Sequence, residues 1–120
     1  LDCIFLLAPT TTLERARRIC EHASGYVYYV SLKGVTGSAA LNVTEVAEKL
    51  EQLRSVTDLP IGVGFGIRDG ASAAAIAGVA DGVVVGSVLV NQIAANVGDL
   101  EQARAGITAV IRDMRAAMDR

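Results

Sequence analysis

The chain has 120 residues, enough for one small domain. It is 52% hydrophobic but only 4% aromatic, has no Trp and carries a net charge of −2, with no basic cluster of the density a nucleic-acid binder needs. No apolar run approaches the roughly 18 residues of a membrane span, and no signal peptide is visible. Leu1 is not a start Met, so the sequence reads as a piece of something longer.

The first apolar run, Cys3 to Ala8, has no polar alternation and is closed by Pro9. That pattern predicts a strand covered on both faces. Thr10, Thr11 and Thr12 then offer N-cap hydroxyls to a helix whose apolar positions are Leu13, Ala16, Ile19, Cys20 and Ala23, with Gly25 ending it. Cys3 and Cys20 lack metal-type spacing and read as reduced core thiols. The second strand, Tyr26 to Ser31, holds all three tyrosines; Tyr26 and Tyr28 share one face and Tyr29 takes the other. Either the tyrosines simply pack between sheet and helix or at least one lines a ligand site.

Lys33-Gly34-Val35-Thr36-Gly37-Ser38 leaves the tip of that strand. It reads as an ordinary βα loop or as a lid, with the Gly37 N–H and the Thr36 hydroxyl facing a ligand. Asn42 and Glu45 have capping-box spacing at the start of a helix that runs to about Ser55. Ile61-Gly62-Val63-Gly64-Phe65-Gly66-Ile67 is the third strand and its glycine-rich end. Asp69 caps the next helix, whose slim packing face is Ala71, Ala74, Ala75 and Gly78. Asp81-Gly82 turns into a fourth strand, Val83 to Val85, and Gly86-Ser87 opens a short helix to about Ala95. After a break at residues 96–99, Asp99 caps a last helix with Leu100, Ala103, Ile107, Val110, Ile111 and Met114 as its apolar stripe.

This order is βαβαβαβ, a short extra helix and a long one, with about 25–40 residues per βα unit and no internal linker. Two architectures fit, half of a (β/α)8 barrel and a small doubly wound sheet. The short helix after the last strand favours the half barrel, because barrels of the phosphate-binding type seat phosphate on the N-terminus of such a helix. Glycine at a strand tip lets a bound group approach the backbone, and the start of the following helix presents N–H groups and its positive dipole end. Residues 1–120 therefore form a single half-barrel unit with a phosphate pocket at Gly64 to Gly66 and Gly86-Ser87.

The runs Ile4-Phe5-Leu6-Leu7-Ala8-Pro9, Gly25-Tyr26-Val27-Tyr28, Gly34-Val35-Thr36-Gly37, Gly64-Phe65-Gly66-Ile67 and Val85-Gly86-Ser87 resemble, in order and spacing, the second half of the tryptophan synthase alpha subunit. The resemblance implies strands five to eight of a TIM barrel. It also implies a cytoplasmic lyase of tryptophan biosynthesis that cleaves indole-3-glycerol phosphate to indole and glyceraldehyde 3-phosphate, without a cofactor or metal of its own. By the same resemblance Gly37, Gly66, Gly86 and Ser87 match phosphate-contacting positions. Leu6, Tyr28 and Phe65 match positions at the indole-bearing substrate, and Gly34 and Thr36 belong to a mobile loop whose threonine engages the catalytic aspartate.

A beta subunit carrying pyridoxal phosphate is the implied partner. The family's catalytic Glu and Asp lie in the first half of the barrel, so no catalytic residue is expected in this chain, and the chain alone is expected to be inactive. Asp69 reads as a cap, Glu45, Glu48 and Glu51 as a solvated helix face, and His22 as a surface or last-turn residue. A half barrel leaves two sheet edges and an inner face open, so a partner is expected: the N-terminal half of the barrel or a second copy. The competing readings are a non-catalytic phosphate-binding half-barrel module and, less consistent with the Gly34-Val35-Thr36-Gly37 loop, a phosphosugar isomerase or cyclase.

Overall fold

The computed structural model describes residues 1–31 and 42–120. Its elements run β1 (Leu6–Leu7), α1 (Leu13–Glu21), β2 (Val27–Val30), α2 (Val43–Arg54), β3 (Ile61–Gly64), α3 (Gly70–Ala77), β4 (Gly82–Val84), α4 (Ser87–Ala95) and α5 (Leu100–Met118). The strands form one parallel sheet in the order β1-β2-β3-β4. Four parallel strands in sequential order, with their helices packed on one face, have the architecture of half a (β/α)8 barrel rather than of a doubly wound sheet.

Register sorts the sheet into two faces. Leu6, Tyr28, Gly62 and Gly82 lie in one row across the four strands, with Gly64 and Val84 paired one layer on. The opposite face carries Leu7, Val27, Tyr29, Ile61 and Val63, all buried. These join Leu50 and Leu53 of α2, Ile76 of α3 and Met114 of α5 in one core. The helices thus cover one face of the sheet, and burying β-branched and leucine side chains there supplies the main driving force for folding.

Helix starts follow local chemistry. The side chains of Thr12, Asn42, Asp69 and Asp99 accept from the N–H three residues on, at Arg15, Glu45, Ser72 and Gln102. At Asp69 the cap is reciprocal, since Ser72 Oγ accepts from the Asp69 N–H at 3.2 Å. Bonds from Ser72 hold the exposed Asp69 carboxyl below the usual range. His22 is the C-cap residue of α1 and is exposed.

The N-terminal ends of the strands are pinned by Asp81. Its Oδ2 accepts from the Ile61 N–H at 2.9 Å and pairs with Arg54 at 3.0 Å. The bond from Ile61, and then Arg54, lowers the Asp81 pKa against the opposing cost of burial.

Several expectations need correction. β1 is two residues long, and Leu6 is 61% exposed rather than covered on both faces. Among the described residues β1 is an edge strand paired only with β2, and Leu6 on its inner side is left largely exposed. Cys3 precedes that pairing and is exposed; only Cys20 is a core thiol, and burial raises its pKa against a hydrogen bond with Thr57. The buried face of α3 is Gly70, Ala73 and Ile76, not the alanines at 71, 74 and 75. Gly70 is there because α5 comes close: its N–H donates to Asp113 Oδ2 at 3.1 Å, and a Cβ would meet Ala117 at 3.1 Å. On α5, Ala103 and Met114 are buried and Val110 packs on the core, but Leu100 is 86% exposed and Ile111 is exposed too.

Candidate functional site

The C-terminal ends of the strands gather the residues singled out in the sequence. Leu6 and Tyr28 are register partners on the open inner face. Tyr28 leans along its strand until its hydroxyl end lies over the Gly64 Cα, where any side chain would collide with it. Tyr26 lies likewise against Gly62, 3.3 Å from where a Cβ would stand. Glycines at 62 and 64 are thus the floor on which two tyrosine rings rest. Burial, and then the neighbouring Tyr26 phenol, raise the Tyr28 pKa, so Tyr28 presents a neutral O–H at physiological pH.

Beyond Gly64 the backbone turns left-handed at two successive residues, Phe65 (φ 74°) and Gly66 (φ 76°). Gly66 adopts this freely; Phe65 does so against steric resistance from its Cβ. Phe65 is 55% exposed and stands directly past the residue that Tyr28 covers. Ser31, at the tip of β2, touches this turn: its Oγ is 2.7 Å from the Gly64 carbonyl oxygen and 2.8 Å from that of Phe65.

Gly64 pairs with Val84, so Gly66 and Gly86 each follow the last registered pair by two residues, on adjacent strands. Gly86 is the N-cap residue of α4 and makes no side-chain cap. Its carbonyl accepts from the Leu89 and Val90 N–H groups, so the Ser87 and Val88 amides precede the first intrahelical donors. Among the described residues nothing lies within 4 Å of where a Gly86 Cβ would point. Two glycine tips and a helix start therefore open toward the same end of the sheet, an arrangement that suits an anion. Gly34, Thr36 and Gly37 fall within residues 32–41, outside the described residues.

A separate cavity of about 310 Å³ lies behind the tip of β2, lined by Pro9, Tyr29, Ser31 and α2 residues including Glu45, Glu48 and Lys49. The two carboxylates, with Lys49 already donating to the Thr11 carbonyl, make it a poor anion site. Among the described residues no group of three His, Cys, Asp or Glu could hold a metal ion, and no helix is long and apolar enough to cross a membrane.

The family model for the tryptophan synthase alpha chain matches residues 1–119. The chain belongs to the tryptophan synthase alpha chain family. It is 60% identical over 119 residues to the alpha chain of Thioalkalivibrio sulfidiphilus and 57% identical to that of Marinobacter nauticus. Each alignment takes in 99% of this chain but only 45% and 44% of the relative, so the chain spans less than half the length of the curated relatives it matches. The crystal structure of the alpha chain from Legionella pneumophila subsp. pneumophila superposes with a TM-score of 0.80 at 37% identity, over 99% of this chain and 43% of that one. The matched part is the C-terminal portion of the family's barrel.

Ser31 was missed by sequence reasoning. The only signal was a hydroxyl residue at a predicted strand end, and its partners lie 33 and 34 residues away.

Proposed function

We propose that this chain is the phosphate- and indole-holding half of a lyase of tryptophan biosynthesis, one that cleaves indole-3-glycerol phosphate to indole and glyceraldehyde 3-phosphate. The observation that carries this is the placement of Gly66 and of Gly86-Ser87 two residues past a common register, beside the Leu6–Tyr28 row. Backbone N–H groups of Gly66, Gly86 and Ser87, with Gly37, hold the phosphate. Leu6, Tyr28 and Phe65 flank the ring system, and Thr36 meets a catalytic aspartate supplied by the other half. Cleavage of this retro-aldol type needs an acid and a base, and both come from the first half of the barrel. Positioned acid–base groups contribute about 10²–10⁴-fold each, so this chain alone is inactive.

The partner for the open inner face is the complementary N-terminal half. Leu6, Tyr26 and Phe65 are exposed there, and relatives carry more than as much chain again. The assembled protein needs no cofactor of its own, acts in the cytoplasm and passes indole to a beta subunit holding pyridoxal phosphate.

Calorimetric titration of the chain with glycerol 3-phosphate tests the cradle. Saturable binding is expected, and Gly86→Asp should abolish it, because no described atom lies within 4 Å of the new Cβ and the carboxylate places negative charge at the cradle. Absence of binding, or binding indifferent to Gly86→Asp, contradicts the assignment.

A further inference from the structure

In a regular strand successive carbonyls face opposite neighbours. The Gly64 carbonyl faces β2, where the Ser31 N–H donates to it at 3.1 Å. The next carbonyl, that of Phe65, should therefore face β4. Instead it too reaches the β2 side, 2.8 Å from Ser31 Oγ. The left-handed backbone at Phe65 is what turns it round, in a conformation that a residue with a Cβ holds only when its surroundings enforce it. A trans peptide unit is planar, with its C=O and N–H pointing in opposite directions. Drawing the Phe65 carbonyl toward β2 sends the Gly66 N–H away from β2, to the side of the sheet where β4, Gly86 and the start of α4 lie.

We propose that Ser31 is a positioning residue for the anion cradle: its single hydroxyl proton, shared between the Gly64 and Phe65 carbonyls, aims the Gly66 N–H at the bound phosphate. This rests on the cradle reading above. The strap is separable from the fold, because the Ser31 backbone N–H keeps its own bond to Gly64 when the hydroxyl is removed. Ser31→Ala thus deletes the aim and leaves the strand pairing, whereas Ser31→Thr keeps a hydroxyl in reach.

The test is a titration of the chain with inorganic phosphate, followed by the amide ¹H–¹⁵N shifts of Gly66 and Gly86 in the unsubstituted, Ser31→Ala and Ser31→Thr forms. In the unsubstituted chain both amides should shift saturably. Ser31→Ala should weaken affinity about five- to tenfold, the effect of one misaimed donor, with the Gly66 response lost and the Gly86 response kept. Ser31→Thr should restore both. Equal affinity and an equal Gly66 response in the Ala form, or loss that Thr does not restore, would overturn the role of Ser31 while leaving the cradle standing. No saturable shift in the unsubstituted chain would overturn the cradle itself, and the role of Ser31 with it. Hydrogen exchange of the unsubstituted chain reads the same aim without any variant. The Gly66 amide should exchange fast without phosphate and slow when phosphate is added, and protection already present without phosphate contradicts the proposal.

Discussion

The two faces of the sheet are built from similar strands and do opposite work. The helix-covered face holds Leu7, Val27, Tyr29, Ile61 and Val63, all buried, and stores the stability of the domain. The inner face holds Leu6, Tyr26 and Tyr28 on a floor of glycines, is largely open, and carries residues proposed above to hold the substrate. A side chain on the first face has nowhere to go when altered. One on the second face can move, at small cost in stability and large cost in geometry.

The largest effect is expected at Leu53, which is fully buried between α2 and the sheet. Leu53→Ala should cost about 2–5 kcal/mol, read as the midpoint shift in urea unfolding; a loss below about 1 kcal/mol would show that the covered face does not act as one packed core. Asp81→Ala comes next, since it strips the acceptor from the buried Ile61 N–H. The side chain is 42% exposed, so water can replace part of the bond and the Arg54 pair adds little, leaving about 1 kcal/mol. The sign with pH follows from its lowered pKa. A carboxyl depressed in the folded state stabilises above its unfolded pKa of about 3.9 and loses that contribution as pH falls through the folded value. The stability gap between the parent chain and Asp81→Ala should therefore be constant near neutrality and close below about pH 4; a gap that closes toward high pH contradicts the pin.

Gly64→Ala should cost less than about 1 kcal/mol, because the atom in the way is the far end of the Tyr28 ring, which can swing into the open face. It should nonetheless shift the Tyr28 ring resonances, and an unmoved ring would show that Gly64 is not its floor. Leu6→Ser is the smallest, within about 0.5 kcal/mol for the isolated chain because Leu6 is already exposed. Its effect should appear instead as weaker assembly with the complementary half, measured by analytical ultracentrifugation.

What was legible in the sequence was local. Thr12, Asn42, Asp69 and Asp99 cap through bonds three residues long, so type and spacing suffice to find them. Gly66 and Gly86 announced the strand ends because glycine is punctuation after an apolar run. What was not legible depended on neighbours distant in sequence. An alanine-rich helix offers no contrast between Ala71 and Ala73, so only the approach of α5 decides which is buried. The run from Cys3 to Ala8 reads as covered on both faces, yet an apolar residue is buried only where something lies against it, and the described residues leave Leu6 61% exposed. Arg54 with Asp81, and Ser31 with Gly64 and Phe65, are pairings that no periodicity encodes.

The most direct test is to assay indole-3-glycerol phosphate cleavage by the purified chain alone and after mixing it with the N-terminal half of a close relative's alpha chain, monitoring indole release and native mass together. No turnover is expected from the chain alone, and turnover should appear with a one-to-one complex of the two halves. Robust turnover by the chain alone, or a one-to-one complex that binds glycerol 3-phosphate yet never cleaves the substrate, would contradict this expectation.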